Sequence, residues 1–158
     1  MHYEHIVAVN DLGNPQTLVL SRAQLWQGLM LRAESPQLFN PHIENVAILE
    51  RTATVLLREI DFGNMQVREH IHLQEGVSLR HDTEPGANHA GGKLLVSIEE
   101  PDQDSLFVRF AYDIPAPQDA EAEQLISYLQ EMWRQMDVEC VRLIRELAES
   151  GRLDIPLQ

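Results

Sequence analysis

Three polar side chains interrupt an otherwise apolar pattern. Between residues 54 and 83 the hydrophobicity alternates with a period of two, as in strands that bury one face. On the apolar side of these stretches stand Arg58, Glu69 and His81. A charge buried alone is costly, so buried charges are found paired. Arg58 and Glu69 can form a two-pronged, charge-assisted pair. His81 beside Glu69 can be held in one tautomer or have its proton affinity raised. Inside a cavity such a row would orient a carboxylate, phenol or carbonyl of a ligand. It would also serve acid–base chemistry, with His81 or Glu69 as base and Arg58 as oxyanion partner. Two plainer readings stand beside these. One is a structural ion pair with a satisfied histidine under a barrel mouth; the other is a solvated row on the outer face.

Turn lengths predict how the row forms. A two-residue turn at Gly63-Asn64 pairs Phe62 with Met65 and Arg58 with Glu69. A three-residue turn at Gln74-Glu75-Gly76 pairs Leu73 with Val77, Ile71 with Leu79 and Glu69 with His81. Around the row, Trp26, Met30, Phe39, Phe110, Tyr112, Met132, Trp133 and Met136 are candidate cavity lining. Methionine adapts to varied ligands, and Tyr112 offers a hydroxyl at one end. For any one of these residues taken alone, plain core is the simpler reading.

Other signals are weaker. His70 and His72 share a strand face with Arg68, the outer one, and make a poor zinc set. No metal or cofactor is expected. The segment Gly86-Ala87-Asn88-His89-Ala90-Gly91-Gly92-Lys93 lacks phosphate-loop spacing and reads as a flexible hairpin loop or a lid. Cys140 falls in a helical apolar stripe, where a buried, inert thiol is the default.

The elements that position these residues follow from pattern and punctuation. Residues 3–9 read as a strand. Ser21 with Gln24 is a capping box that opens a helix. That helix stops before Pro36, and Ser35–Phe39 reads as a short second helix. Six strands follow, at 44–51, 54–62, 65–73, 77–83, 93–100 and 105–114, joined by tight turns into an antiparallel meander. Residues 118–150 read as one long helix carrying Leu125, Leu129, Met132, Trp133, Met136, Cys140, Ile144 and Leu147 as a stripe. Glu121 and Glu123 near its start and Arg142 and Arg145 near its end suit the macrodipole, and Gly151 suits the C′ position. The expectation is an α+β fold, a seven-stranded antiparallel curved sheet wrapped on the long C-terminal helix, with two short helices between strands 1 and 2. Residues 1–158 read as a single domain whose residues 152–158 form a loosely held tail.

Composition narrows the function. Of 158 residues, 12 are Lys or Arg and 25 are Asp or Glu, a net charge of −13. That balance argues against nucleic acid and against anionic lipid as partners. No stretch is long and apolar enough for membrane insertion. The start, Met1-His2-Tyr3-Glu4-His5, lacks the regions of a secretory leader, and the single cysteine excludes an internal disulfide. A cytoplasmic location is expected. A homodimer is compatible with this reading, which locates no interface.

The order of elements resembles the helix-grip fold of the START-like superfamily, also called SRPBCC. More closely, the sequence is similar to its AtaL-like branch, largely a domain family of unknown function. The matching segments are Leu25-Trp26-Gln27-Gly28-Leu29, Arg32-Ala33-Glu34 with Pro36, Arg58-Glu59, Phe62-Gly63, Arg68-Glu69, Glu99-Glu100-Pro101 and Phe110-Ala111-Tyr112. The resemblance spans nearly the whole chain and implies an apolar ligand cavity; it carries no catalytic residue set. The leading expectation is a protein that binds a small hydrophobic molecule bearing a polar group, between sheet and C-terminal helix. The alternative is a cyclase- or aromatase-like enzyme acting on a polyketide-like or cyclic peptide-like metabolite. A third reading, a protein-partner module, has only the acidic charge behind it.

Overall fold

A computed structural model of the chain describes residues 1–87, 89–115 and 120–153, and the side chains of 120–122 lie outside that description. Among the described residues seven strands form one curved antiparallel sheet: β1 His2–Ala8, β2 Asn45–Arg51, β3 Val55–Asp61, β4 Gln66–Gln74, β5 Ser78–Thr83, β6 Gly92–Glu99 and β7 Phe107–Asp113. Their spatial order is β1-β7-β6-β5-β4-β3-β2, a six-strand meander with β1 added beside β7. Two helices, α1 Arg22–Glu34 and α2 Ala120–Glu149, and a 3-10 turn, Pro36–Leu38, complete the fold. The expected architecture is the observed one, except that the second short helix expected over Ser35–Phe39 is a three-residue 3-10 turn.

The local reasons are visible. The Ser21 hydroxyl accepts from Gln24 N (3.1 Å) and the Gln24 side chain accepts from Ser21 N (3.0 Å), closing the capping box at the start of α1. Helix α2 ends in a Schellman motif: Arg152 N donates to Leu147 O and Gly151 N to Ala148 O, with Gly151 at φ +74°. The side chain of Glu121, expected to favour the start of α2, lies outside the described residues, as do residues 154–158 of the expected tail. Leu153 is buried in the core.

The sheet's inner face carries Leu56, Ile60, Val67, Ile71, Leu79, Val96, Ile98, Val108 and Phe110, all buried, against Cys140, Val141, Ile144 and Leu147 of α2. Helix α1 meets α2 at Gly28, where a Cβ would lie 2.7 Å from Ile144 Cγ1 and closer still to Cγ2. Leu25, Leu29 and Ala33 flank that contact and are buried.

Two expectations are corrected. Between β4 and β5 the loop is Glu75-Gly76-Val77, so Gln74 pairs with Ser78, Ile71 with His81 and Glu69 with Thr83. The expected pairing was two positions out of register. Gly76, at φ +73°, takes the middle of the loop rather than its end. The apolar stripe of α2 is also buried only in its C-terminal half; Leu125, Met132 and Met136 are exposed. A helix of 30 residues extends about 45 Å. Strands of 7–9 residues reach only about 23–30 Å, so the first turns of α2 have no sheet beneath them.

Candidate functional site

The site begins where α1 ends. Pro36 has no N–H, so the carbonyl of Arg32, four residues earlier, loses its helical donor. Arg58 of β3 replaces it. Its Nη1 donates to Ala33 O (2.7 Å) and Arg32 O (3.3 Å). Its Nη2 donates to Glu69 Oε2 on β4 at 2.9 Å, directly across the ladder as the register dictates. His81 of β5 stands diagonal to Glu69, with Nδ1 3.5 Å from Glu69 Oε1 and 3.5 Å from Arg58 Nη2. The three expected polar residues are therefore together, buried and inward, although the second pairing that predicted this is displaced. A diagonal neighbour is still within reach of long side chains.

Burial sets their protonation. It would raise the Glu69 carboxyl, but hydrogen bonds and charge from His81 and Arg58 overcome it and hold Glu69 well below the usual carboxylate range. Burial depresses His81 despite the hydrogen bond to Glu69, so the ring is neutral at physiological pH. Burial also lowers Arg58, opposed by Glu69. Among the described residues His81 Nε2 has no hydrogen-bond partner.

A second polar cluster adjoins the first. Asp137 of α2 is completely buried. Its Oδ2 accepts from the Tyr112 hydroxyl (2.7 Å) and is 2.7 Å from His5 Nε2. Its Oδ1 is 3.6 Å from Arg32 Nη2. One turn earlier on α2, Trp133 stacks on Tyr112 with ring centres 4.4 Å apart, so two residues of one helix face fix the tyrosine. Burial raises the Asp137 carboxyl above its ordinary value, opposed by Arg32, Tyr112 and His5. Burial and the Asp137 charge push the Tyr112 phenol far up, so it stays a donor. Burial likewise pushes the Cys140 thiol up to about 11, which keeps it protonated and unreactive. Arg32 itself lies with its guanidinium carbon 5.6 Å from the centre of the Phe110 ring.

Between the two clusters and α2 lies a cavity of about 230 Å³. Arg32, Arg58, Glu69, His81 and Tyr112 line its polar side; Phe39, Ile60, Phe62, Leu94, Trp133 and Met136 are among its apolar lining. Met136 is 41 % exposed as well, so the cavity opens past it. Among the expected lining residues Phe39, Tyr112, Trp133 and Met136 are in place. Four expectations are corrected. Phe110 is fully buried beneath Arg32, which stands between it and the space. Met132 is exposed and is not among the residues that line the cavity. Trp26 and Met30 pack on the core's edge, because α1 turns its Gly28 face to α2.

Arg32, Asp137 and His5 were not expected. The signal that could have found them is the one that found the strand row: a polar residue inside an apolar period. Asp137 sits one turn after Trp133 in the α2 stripe, Arg32 one turn after Gly28 on the buried face of α1, and His5 between Tyr3 and Val7 on β1. Among the described residues no group of three or more His, Cys, Asp or Glu could hold a metal ion. No helix among the described residues is long and apolar enough to cross a membrane.

Comparison with known proteins supports the same architecture. The chain is similar in fold to the Zhui aromatase/cyclase from Streptomyces sp. R1128, with a TM-score of 0.64 and 16 % identity over 93 % of this chain and 94 % of that one. It is similar to the di-domain ARO/CYC StfQ from the steffimycin biosynthetic pathway, with a TM-score of 0.69 and 12 % identity over 98 % of this chain and 52 % of that one. It is also similar to Ara h 8.0201, with a TM-score of 0.60 and 11 % identity over 91 % of this chain and 97 % of that one. At these identities the likeness is one of fold. No curated protein matches the sequence. Residues 7–151 match the family described as acetylaranotin biosynthesis cluster protein L. This helix-grip chain therefore belongs to the AtaL family.

Proposed function

We propose that the protein binds a compact hydrophobic molecule carrying one polar group, in the cavity between sheet and α2. The observation that carries this reading is a 230 Å³ space with charged groups along one side and apolar groups along the other. Sites for drug-sized ligands occupy roughly 300–1,000 Å³, so the occupant is small, of one or two rings. Buried polar groups at one end and aromatic walls at the other are how such sites fix a ligand's orientation. The similarity in fold to aromatase/cyclase proteins supports a second reading, an enzyme on a polyketide-like or cyclic peptide-like metabolite. One local observation favours it: a neutral, buried imidazole with Nε2 unpaired, beside an ionised carboxylate, which is the state a general base requires.

Native mass spectrometry of gently purified protein, compared with the denatured mass, tests the first reading. A retained small molecule is expected. A protein that remains bare after incubation with a panel of compact aromatic and cyclic metabolites would overturn it. The same spectra separate the two readings. An enzyme returns its ligand chemically changed, and His81→Ala stops that change while the ligand still binds; a carrier returns it intact.

A further inference from the structure

The two arginines of the cavity differ in what they have left to give. Arg58 is largely committed: Nη1 serves two main-chain carbonyls and Nη2 serves Glu69, and only its buried Nε has no hydrogen-bond partner among the described residues. It joins the sheet to the end of α1. Arg32 is not committed. Its one ionic neighbour among the described residues is Asp137, at 3.6 Å, beyond hydrogen-bond length. Its Nη1 is buried and has no hydrogen-bond partner among the described residues, and neither has Asp137 Oδ1. Asp137 is turned to other donors, the Tyr112 hydroxyl and His5, on its Oδ2. A buried guanidinium N–H without an acceptor is costly, and the side chain that carries it lines the cavity, where a ligand oxygen can be offered to the guanidinium.

Charge points the same way. The cavity wall itself presents two guanidinium groups, Arg32 and Arg58, against one carboxylate, Glu69, with His81 neutral; the second carboxylate, Asp137, is buried behind the wall, 3.6 Å from Arg32. The Arg32 charge is therefore balanced only by a carboxylate that already accepts from Tyr112 and contacts His5. Phe110 supports the Arg32 guanidinium from its face and leaves the edge, where the N–H groups lie, for a partner.

We infer that Arg32 is the residue that recognises the ligand, and that the ligand's polar group is an oxyanion (a carboxylate, or the phenolate or enolate of an acidic ring) on an apolar body. Arg58 positions it by holding the end of α1. This rests on the cavity-binding reading above and names the class of molecule that reading left open.

A matched pair of probes tests it: 2-naphthoate and its neutral isostere 2-naphthamide, titrated calorimetrically into the protein near neutral pH. The wild type is expected to prefer the carboxylate by roughly 10- to 100-fold, the range of a charge-assisted hydrogen bond. Arg32→Gln is expected to abolish the preference while naphthamide affinity is kept. Equal affinities in the wild type would overturn the oxyanion inference and leave the cavity-binding reading standing. Binding of neither probe would overturn the cavity-binding reading itself, and this inference with it. A preference that survives Arg32→Gln would overturn the assignment to Arg32. Should the glutamine variant not fold, Arg32→Lys replaces it. A reduced carboxylate preference then supports the forked contact, and an unchanged one overturns it.

Discussion

Burial makes the His81 imidazole a weaker base than a free histidine, and the sign of that effect can be read by unfolding. In the unfolded chain the ring takes a proton near its ordinary value of 6.5; in the folded protein it resists. As pH falls below about 6.5 the unfolded state binds more protons, so stability declines. Glu69 adds to the loss in a lower window. Its depressed folded value contributes stability above the ordinary carboxylate range, lost as pH falls toward that folded value. Asp137 acts oppositely, since its raised value means that acid relieves a penalty present at neutral pH. In urea unfolding between about pH 7.5 and about pH 5, wild-type stability should fall on the acid side, and His81→Gln should flatten that fall. Parallel curves for the two proteins would show that His81 does not titrate between the folded and unfolded states as argued. Asp137→Asn should steepen the fall. The strand row was legible in the sequence because a period of two is strict: a polar residue on the apolar side has nowhere else to point. Arg32 and Asp137 were harder to see, because a helix face is broad and a charged residue at its margin reads as solvated.

At the scale of elements, the joint between α1 and α2 leaves no room for a side chain at Gly28. Gly28 brings the two helices together over Ile144. Glycine inside a helix costs about 1 kcal/mol relative to alanine, so Gly28→Ala would gain helix propensity and lose packing. Overpacking a filled core costs about 1–3 kcal/mol, and the loss should win. Net destabilisation of about 1 kcal/mol is expected in urea unfolding, and it should disappear in an Ile144→Ala background, where both γ carbons that meet the new Cβ are gone. A more stable single variant would show that α1 shifts freely along α2. Element order, the capping box, the end of α2 and the Arg58–Glu69 register could all be read from turn residues and periodicity. The β4–β5 register could not, because a three-residue loop can close one position earlier or later with Gly76 at either its middle or its end. The exposed first half of α2 was illegible for another reason. Periodicity shows that a helix has an apolar face, not whether the sheet is long enough to cover it.

Taken as a whole the molecule is acidic, −13 overall, yet its cavity wall presents two guanidinium groups to one carboxylate. Far from the protein an anionic ligand meets repulsion; close to Arg32 it meets attraction. Salt shortens the reach of the first, from about 30 Å at 0.01 M to about 8 Å at 0.15 M, and affects a buried contact much less. The association rate of 2-naphthoate, followed by stopped-flow tryptophan fluorescence, should therefore rise with added salt. That of 2-naphthamide should stay level. A naphthoate rate that falls with salt would mean that the cavity's field reaches beyond the acidic surface. The division of labour at the end of α1 bears on how such a protein can change its ligand. Arg58 grips residue 32 by its carbonyl oxygen, an atom that every amino acid possesses, while the side chain of residue 32 faces the cavity. Lineages can exchange that side chain, and with it the molecule they select, without dismantling the bond that fastens helix to sheet.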